Sequence, residues 1–126
     1  MREIKFRAWD KKRNVMWEPI AFIRLLQYLF FENFPNATAY QEIKDHFNDI
    51  VWLEYTGLKD SQGKEIYEGD ILAMQHYDHW VVSWDGPSAI INNVKNPGHP
   101  YLLTHPIGRE IIGNIYENPD LIKNDK

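Results

Sequence analysis

Residues 55–71 constrain this chain more than any other stretch. Gly57, Gly63 and Gly69 stand among charged and polar side chains, and the apolar anchors Leu58, Ile66, Tyr67 and Ile71 recur between them. Glycine takes up backbone angles that other residues resist, and aspartate at such positions bonds to nearby amides. The pattern therefore predicts short strands joined by successive tight turns. It specifies an architecture and leaves the chemistry open.

At 126 residues the chain is long enough for one compact unit, or two small lobes sharing a core, without help from a disulfide or a metal. Five Trp, seven Tyr and six Phe tilt the expectation towards strands and protein contacts. There is no cysteine, which removes thiol nucleophiles, zinc ribbons and disulfide frameworks and makes a cytoplasmic protein the expectation. Charges scattered over residues 2–13 lack the shape of a signal peptide, and no run reaches the ~20 apolar residues of a bilayer span. No membrane association is expected.

The N-terminus is basic. Arg2, Lys5, Arg7, Lys11, Lys12 and Arg13 face only Glu3 and Asp10 there, a balance of +4 in a chain of net charge −4, so the remainder carries −8. Lys5, Arg7, Lys11, Lys12 and Arg13 are candidate nucleic-acid contacts, although the rest of the chain would repel phosphates. The ordinary alternative is the solvated face of a hairpin.

Along residues 3–9, Ile4, Phe6 and Ala8 alternate with Lys5, Arg7 and Trp9, which predicts a half-buried strand. A polar turn over residues 10–14 and a strand over 15–18 complete an N-terminal hairpin. Over residues 20–31 only Arg24 and Gln27 are polar. Pro19 suits the first turn of a helix, and Asn33, Pro35 and Asn36 end it. A helix apolar nearly all round must be buried on most of its circumference. Burial against a partner subunit is the preferred reading, with a central core helix or a misread strand pair as alternatives. Phe22, Ile23, Leu26, Leu29 and Phe30 are then candidate interface residues. Thr38 and Gln41 have the spacing of a capping box, and Tyr40, Ile43, Phe47 and Ile50 form an apolar stripe, so a second helix is expected to about Asn48.

From Val51 onwards the pattern is β. Strands are expected over 51–55, 71–76, 80–84, 88–94 and 109–116, with turns at 59–63, 68–70 and 85–87. Residues 96–100 read as a break, Gly113 as a bulge, and Asn118 with Pro119 as the start of one closing helical turn. Short strands at this spacing suggest a small barrel or sandwich. The fold expected is mainly β with minor α. Residues 1–53 would hold an N-terminal β-hairpin and a helical insertion, and residues 54–126 a small β-barrel lobe.

Three blocks carry a resemblance: residues 4–10, from Ile4 to Asp10; residues 55–72; and residues 110–121, from Glu110 through Gly113 and Tyr116 to Leu121. With Met16 and residues 82–85, they cover somewhat under half of the chain. In these blocks it resembles the YopX-like proteins encoded by phages and prophages of Gram-positive bacteria. The resemblance implies a mainly β protein with an SH3-like small barrel in its C-terminal part, a homo-oligomer, and a bacterial cytoplasm as its location. It implies no known activity. Residues 19–53 and 86–108 fall outside the blocks.

Asp10, Asp60, Glu68, Asp70 and Asp85 would suit a divalent cation if the fold gathered them. Each sits beside an expected turn, however, where aspartate ordinarily serves the backbone, and that reading is preferred. His76 and His79 flank Asp78, yet on a strand positions three apart point to opposite faces, and His99 and His105 lie in a loop. No nucleophile elbow, phosphate-binding glycine loop or zinc-protease signature occurs. No cofactor, metal or catalytic residue is expected, and the chain reads as a non-enzyme. The function expected is a phage accessory protein acting through protein contacts, as a homo-oligomer or on an unknown phage or host protein. Nucleic-acid binding through the basic hairpin and the barrel face is the alternative.

Overall fold

The computed structural model describes residues 5–19, 48–74, 78–104 and 109–123, with the side chain of Met74 outside that description. Strands make up 63% of the described residues and no helix among them reaches seven residues, so the fold is mainly β. The chain divides into two compact units, Lys5–Leu53 and the chain from Glu54 onwards. The two helices expected over 20–31 and 38–48, and with them Phe22, Ile23, Leu26, Leu29 and Phe30, lie outside the described residues.

In the smaller unit, β1 (Phe6–Asp10) and β2 (Val15–Trp17) form the expected antiparallel hairpin, with Ala8 opposite Trp17 and Asp10 opposite Val15. Asp10 closes its turn. Its carboxylate accepts the N–H groups of Lys12 and Arg13, the Arg13 guanidinium and the Trp17 indole N–H, at 3.1 to 3.3 Å. Asn14 completes the turn at φ 54°, a left-handed conformation that asparagine tolerates. The first residues of β3 (Ile50–Lys59) join β1 on its other side.

The alternation expected along β1 does not hold. Phe6 is exposed, while Arg7, Ala8, Trp9 and Asp10 are all buried. Asp10 is drawn inward by the amides it serves, which breaks the alternation at the end of the strand.

In the larger unit, β3 runs on to Lys59 and pairs with β4 (Glu65–Tyr67). The register shifts between Tyr55 and Lys59, where Gly57 takes φ +86°. Thr56 spans the irregularity: its hydroxyl donates to the Ile66 carbonyl at 2.8 Å and accepts the Leu58 N–H at 3.2 Å. β5 (Asp70–Met74), β6 (Asp78–Asp85), β7 (Ser88–Asn93), β8 (Asn96–Leu102) and β9 (Arg109–Asn114) form a five-stranded antiparallel sheet ordered β8-β7-β6-β5-β9. Ile66, Leu72, Val82, Ile91 and Leu103 make its core, with Leu58, Trp80, Ala89 and Ile111 packed against them.

The bulge near Gly113 is present. Ile71 faces Gly113 and Leu72 faces Ile111, leaving Ile112 as the extra residue. Residues 96–100 are not a break, since they belong to β8. Pro97 and Pro100 are admitted because β8 is an edge strand, exposed along its whole length. The closing 3-10 turn, Pro119–Ile122, follows Asn118 as expected, but the Asn118 side chain does not cap it. That side chain instead accepts the Asn114 N–H at 3.1 Å.

Of the two edges of the five-stranded sheet, β9 is covered and β8 is exposed. At β8, Leu103 N–H donates to the Ala89 carbonyl and Tyr101 lies opposite Ile91. By the alternation of an antiparallel ladder Leu102 turns its backbone outward; the register then shifts between Ile91 and Asn93, and Pro97 and Pro100 have no N–H to offer an added strand. At β9, the outward Arg109 carbonyl accepts Ser61 N–H and the outward Ile111 N–H donates to Asp60.

Candidate functional site

The acidic residues do what turns require of them. Asp60 is buried between three backbone donors. Its Oδ1 accepts Gln62 and Lys64 N–H, both at 2.8 Å, and its Oδ2 accepts Ile111 N–H at 3.0 Å. Burial alone would raise its pKa. The bonds from Ile111, Lys64 and Gln62, with the Lys64 charge, outweigh that and hold the carboxyl below the usual aspartate value. Asp70 accepts Tyr67 N–H at 2.8 Å across the turn that contains Gly69. Asp10 belongs to the smaller unit, and Asp85 is exposed beside the turn at Gly86. Among the described residues, no three His, Asp or Glu side chains gather in a way that could hold a metal ion.

Glu68 differs from its neighbours. Burial raises its pKa, the Glu54 backbone N–H counteracts this, and the Glu54 carboxylate raises it further. Tyr116 lies beside it, its phenol pushed up by burial and then by the Glu68 charge. A carboxylate with a raised folded-state pKa stabilises the fold below its unfolded value, and that contribution is lost as pH rises through the folded value. Glu68→Gln is therefore expected to raise stability at pH 7 by up to about 1 kcal/mol, the amide oxygen still accepting the Glu54 N–H. Thermal unfolding checks this: the gain should be present at pH 7 and absent near pH 4, and a loss at pH 7 would contradict it.

The basic hairpin is less open than its composition suggests. Arg7, one of the candidate contacts, is only 8% exposed. The Arg13 guanidinium is engaged by Asp10 at 3.1 Å. Lys11 and Lys12 are exposed in the turn, and Lys5 is half-buried. His79 is oriented by a 2.9 Å bond between its Nδ1 and the Leu121 carbonyl, which ties β6 to the closing 3-10 turn. His76 and His105 lie outside the described residues, and His99 is exposed.

Among the described residues, exposed aromatic side chains take part in two ring contacts. In the smaller unit Phe6 and Trp52, 38% and 46% exposed, meet edge to face with centroids 6.3 Å apart. In the larger unit Trp80 and Tyr101 meet at 5.7 Å and 66°, and Tyr101 is 59% exposed. Tyr101 escapes a reading of the sequence because it follows the prolines that mark residues 96–100 as a loop.

The comparisons with known proteins agree with the fold. The family model described as YopX protein matches residues 5–123, spanning the stretches 19–53 and 86–108 that the motif blocks leave out. The crystal structure of protein EF1440 from Enterococcus faecalis is similar at 23% identity and a TM-score of 0.57, over 98% of this chain and 100% of that one. That likeness concerns the fold alone. No curated protein matches the chain.

Proposed function

The chain belongs to the YopX protein family, and from that premise we propose that it is a non-enzymatic phage or prophage accessory protein that acts through protein contacts, as a homo-oligomer in the bacterial cytoplasm. The exposed pair Phe6 and Trp52 carries this reading. Large aromatic side chains held together on a surface are characteristic of binding hot spots, because they bury much area with little loss of side-chain freedom. The cover over β9 and the two prolines in the β8 edge favour assembly through side chains over strand addition. Phe22, Ile23, Leu26, Leu29 and Phe30 are kept as candidate interface residues on their sequence pattern alone, and an SH3-like barrel is our reading of the larger unit. Nucleic-acid binding by the hairpin retains Lys11 and Lys12 as its exposed cations and is the second reading.

Size-exclusion chromatography with light scattering tests the proposal on wild type, Trp52→Ala and Leu26→Glu. A defined oligomer is expected in the wild type. Loss of a hot-spot side chain costs at least about 2 kcal/mol, or roughly thirtyfold in dissociation constant, so Trp52→Ala should dissociate at concentrations where wild type is assembled. Circular dichroism shows whether the variants remain folded. A wild-type monomer at high concentration would remove the homo-oligomer, and an oligomer unaffected by Trp52→Ala would remove this surface from it.

A further inference from the structure

Between β6, β7 and β8 a shallow cleft of about 280 Å³ is lined by Trp80, Tyr101, Asn93, Asn96, Lys95, His99 and Asp78. We propose that this cleft binds one nucleobase carrying a phosphate. Tyr101 supplies the stacking surface: it is largely exposed, and Trp80 buttresses it edge-on at 5.7 Å. The amides read the edge of the ring. Asn93 Oδ1 is occupied by the Lys95 N–H at 2.8 Å, so its Nδ2 is left to donate to a ring acceptor, and Asn96 offers both a donor and an acceptor.

Lys95 supplies a cation beside which a phosphate attached to the base would sit, and the His99 ring a further hydrogen-bonding group. An apolar peptide side chain would leave these amides and the Lys95 charge unused, and for that reason a base is favoured. Size and charge set the ligand's extent. The cleft is at the small end of ligand sites and takes one base with its sugar. Residues 54–126 carry six Lys and Arg against eleven Asp and Glu, so a long polyanion would meet repulsion beyond the rim.

Nitrogen–proton correlation NMR on the full chain tests this, with adenosine, adenosine monophosphate and a short single-stranded oligothymidylate as probes. Saturable shifts confined to residues of β6, β7 and β8 are expected with the monophosphate. Tyr101→Ala, at an exposed position, should weaken binding about tenfold or more, as loss of one stacking platform does. Lys95→Ala should weaken the monophosphate and leave adenosine unchanged. Tighter binding of the oligothymidylate than of the monophosphate would identify single-stranded nucleic acid as the source of the base, and the reverse would identify the free nucleotide. No saturable shift with any probe, or binding indifferent to Tyr101→Ala, would overturn the proposal.

Discussion

Replacing Asp60 by alanine is expected to cost about 2–4 kcal/mol, because three backbone N–H groups lose one acceptor at once. Gln62 and Lys64 lie in an exposed turn and recover part of the loss from water. Ile111 does not, since its half-buried N–H faces the edge of β9 that Asp60 covers. Asp60→Asn should fall between wild type and alanine, because a single amide oxygen cannot serve both the turn and Ile111. The dependence on pH has a definite sign. Asp60 has a lowered folded-state pKa, so its ionisation stabilises the fold above the unfolded value, close to the ordinary aspartate value of 3.8, and that stability is lost as pH falls through the folded value. Urea unfolding of wild type and Asp60→Asn should therefore show a gap at pH 7 that narrows as pH is lowered past 4. A gap that stays constant would mean that the carboxylate charge contributes nothing.

The same residue shows where a sequence can be read and where it cannot. Aspartate followed by serine and, three positions on, by glycine announces a turn, and the turn is there. Nothing local announces that Asp60 also reaches Ile111, 51 residues later in the chain, and so closes a sheet edge. Local chemistry was legible wherever one turn satisfies itself, as at Asp10, Asp70 and Gly86. It misled where neighbours decide. Pro97 and Pro100 read as a break because proline opposes strands in general, yet an edge strand tolerates it on its solvent side. The faces of β1 were misassigned because alternation presumes that only one face is buried. The cleft was half legible: Trp80 opens a strand that the pattern predicts, and Tyr101 follows the prolines read as a break. Its amides and Lys95 meet these rings only through the pairing of β7 with β6 and β8.

Gly69→Ala should destabilise the protein by about 2–3 kcal/mol, and Gly63→Ala by about 1 kcal/mol, although the two glycines share almost the same backbone conformation. Gly63 has φ +83° and open space where a Cβ would stand, so alanine there suffers only the left-handed conformation. Gly69 has φ +87°, and its added Cβ would lie 3.1 Å from the Tyr116 ring. The backbone cannot retreat, because Gly69 N–H donates to the Val82 carbonyl at 2.8 Å and Gly69 C=O accepts Ile115 N–H at 2.9 Å. The Tyr116 ring must move instead, and Tyr116 is part of the half-buried environment of Glu68. A second readout follows from that contact. Gly69→Ala should shift the Tyr116 ring resonances and the titration of Glu68, while Gly63→Ala leaves both in place. Equal losses in urea unfolding, with unchanged Tyr116 resonances, would show that the conformation of the turn matters and the packing of Tyr116 against it does not.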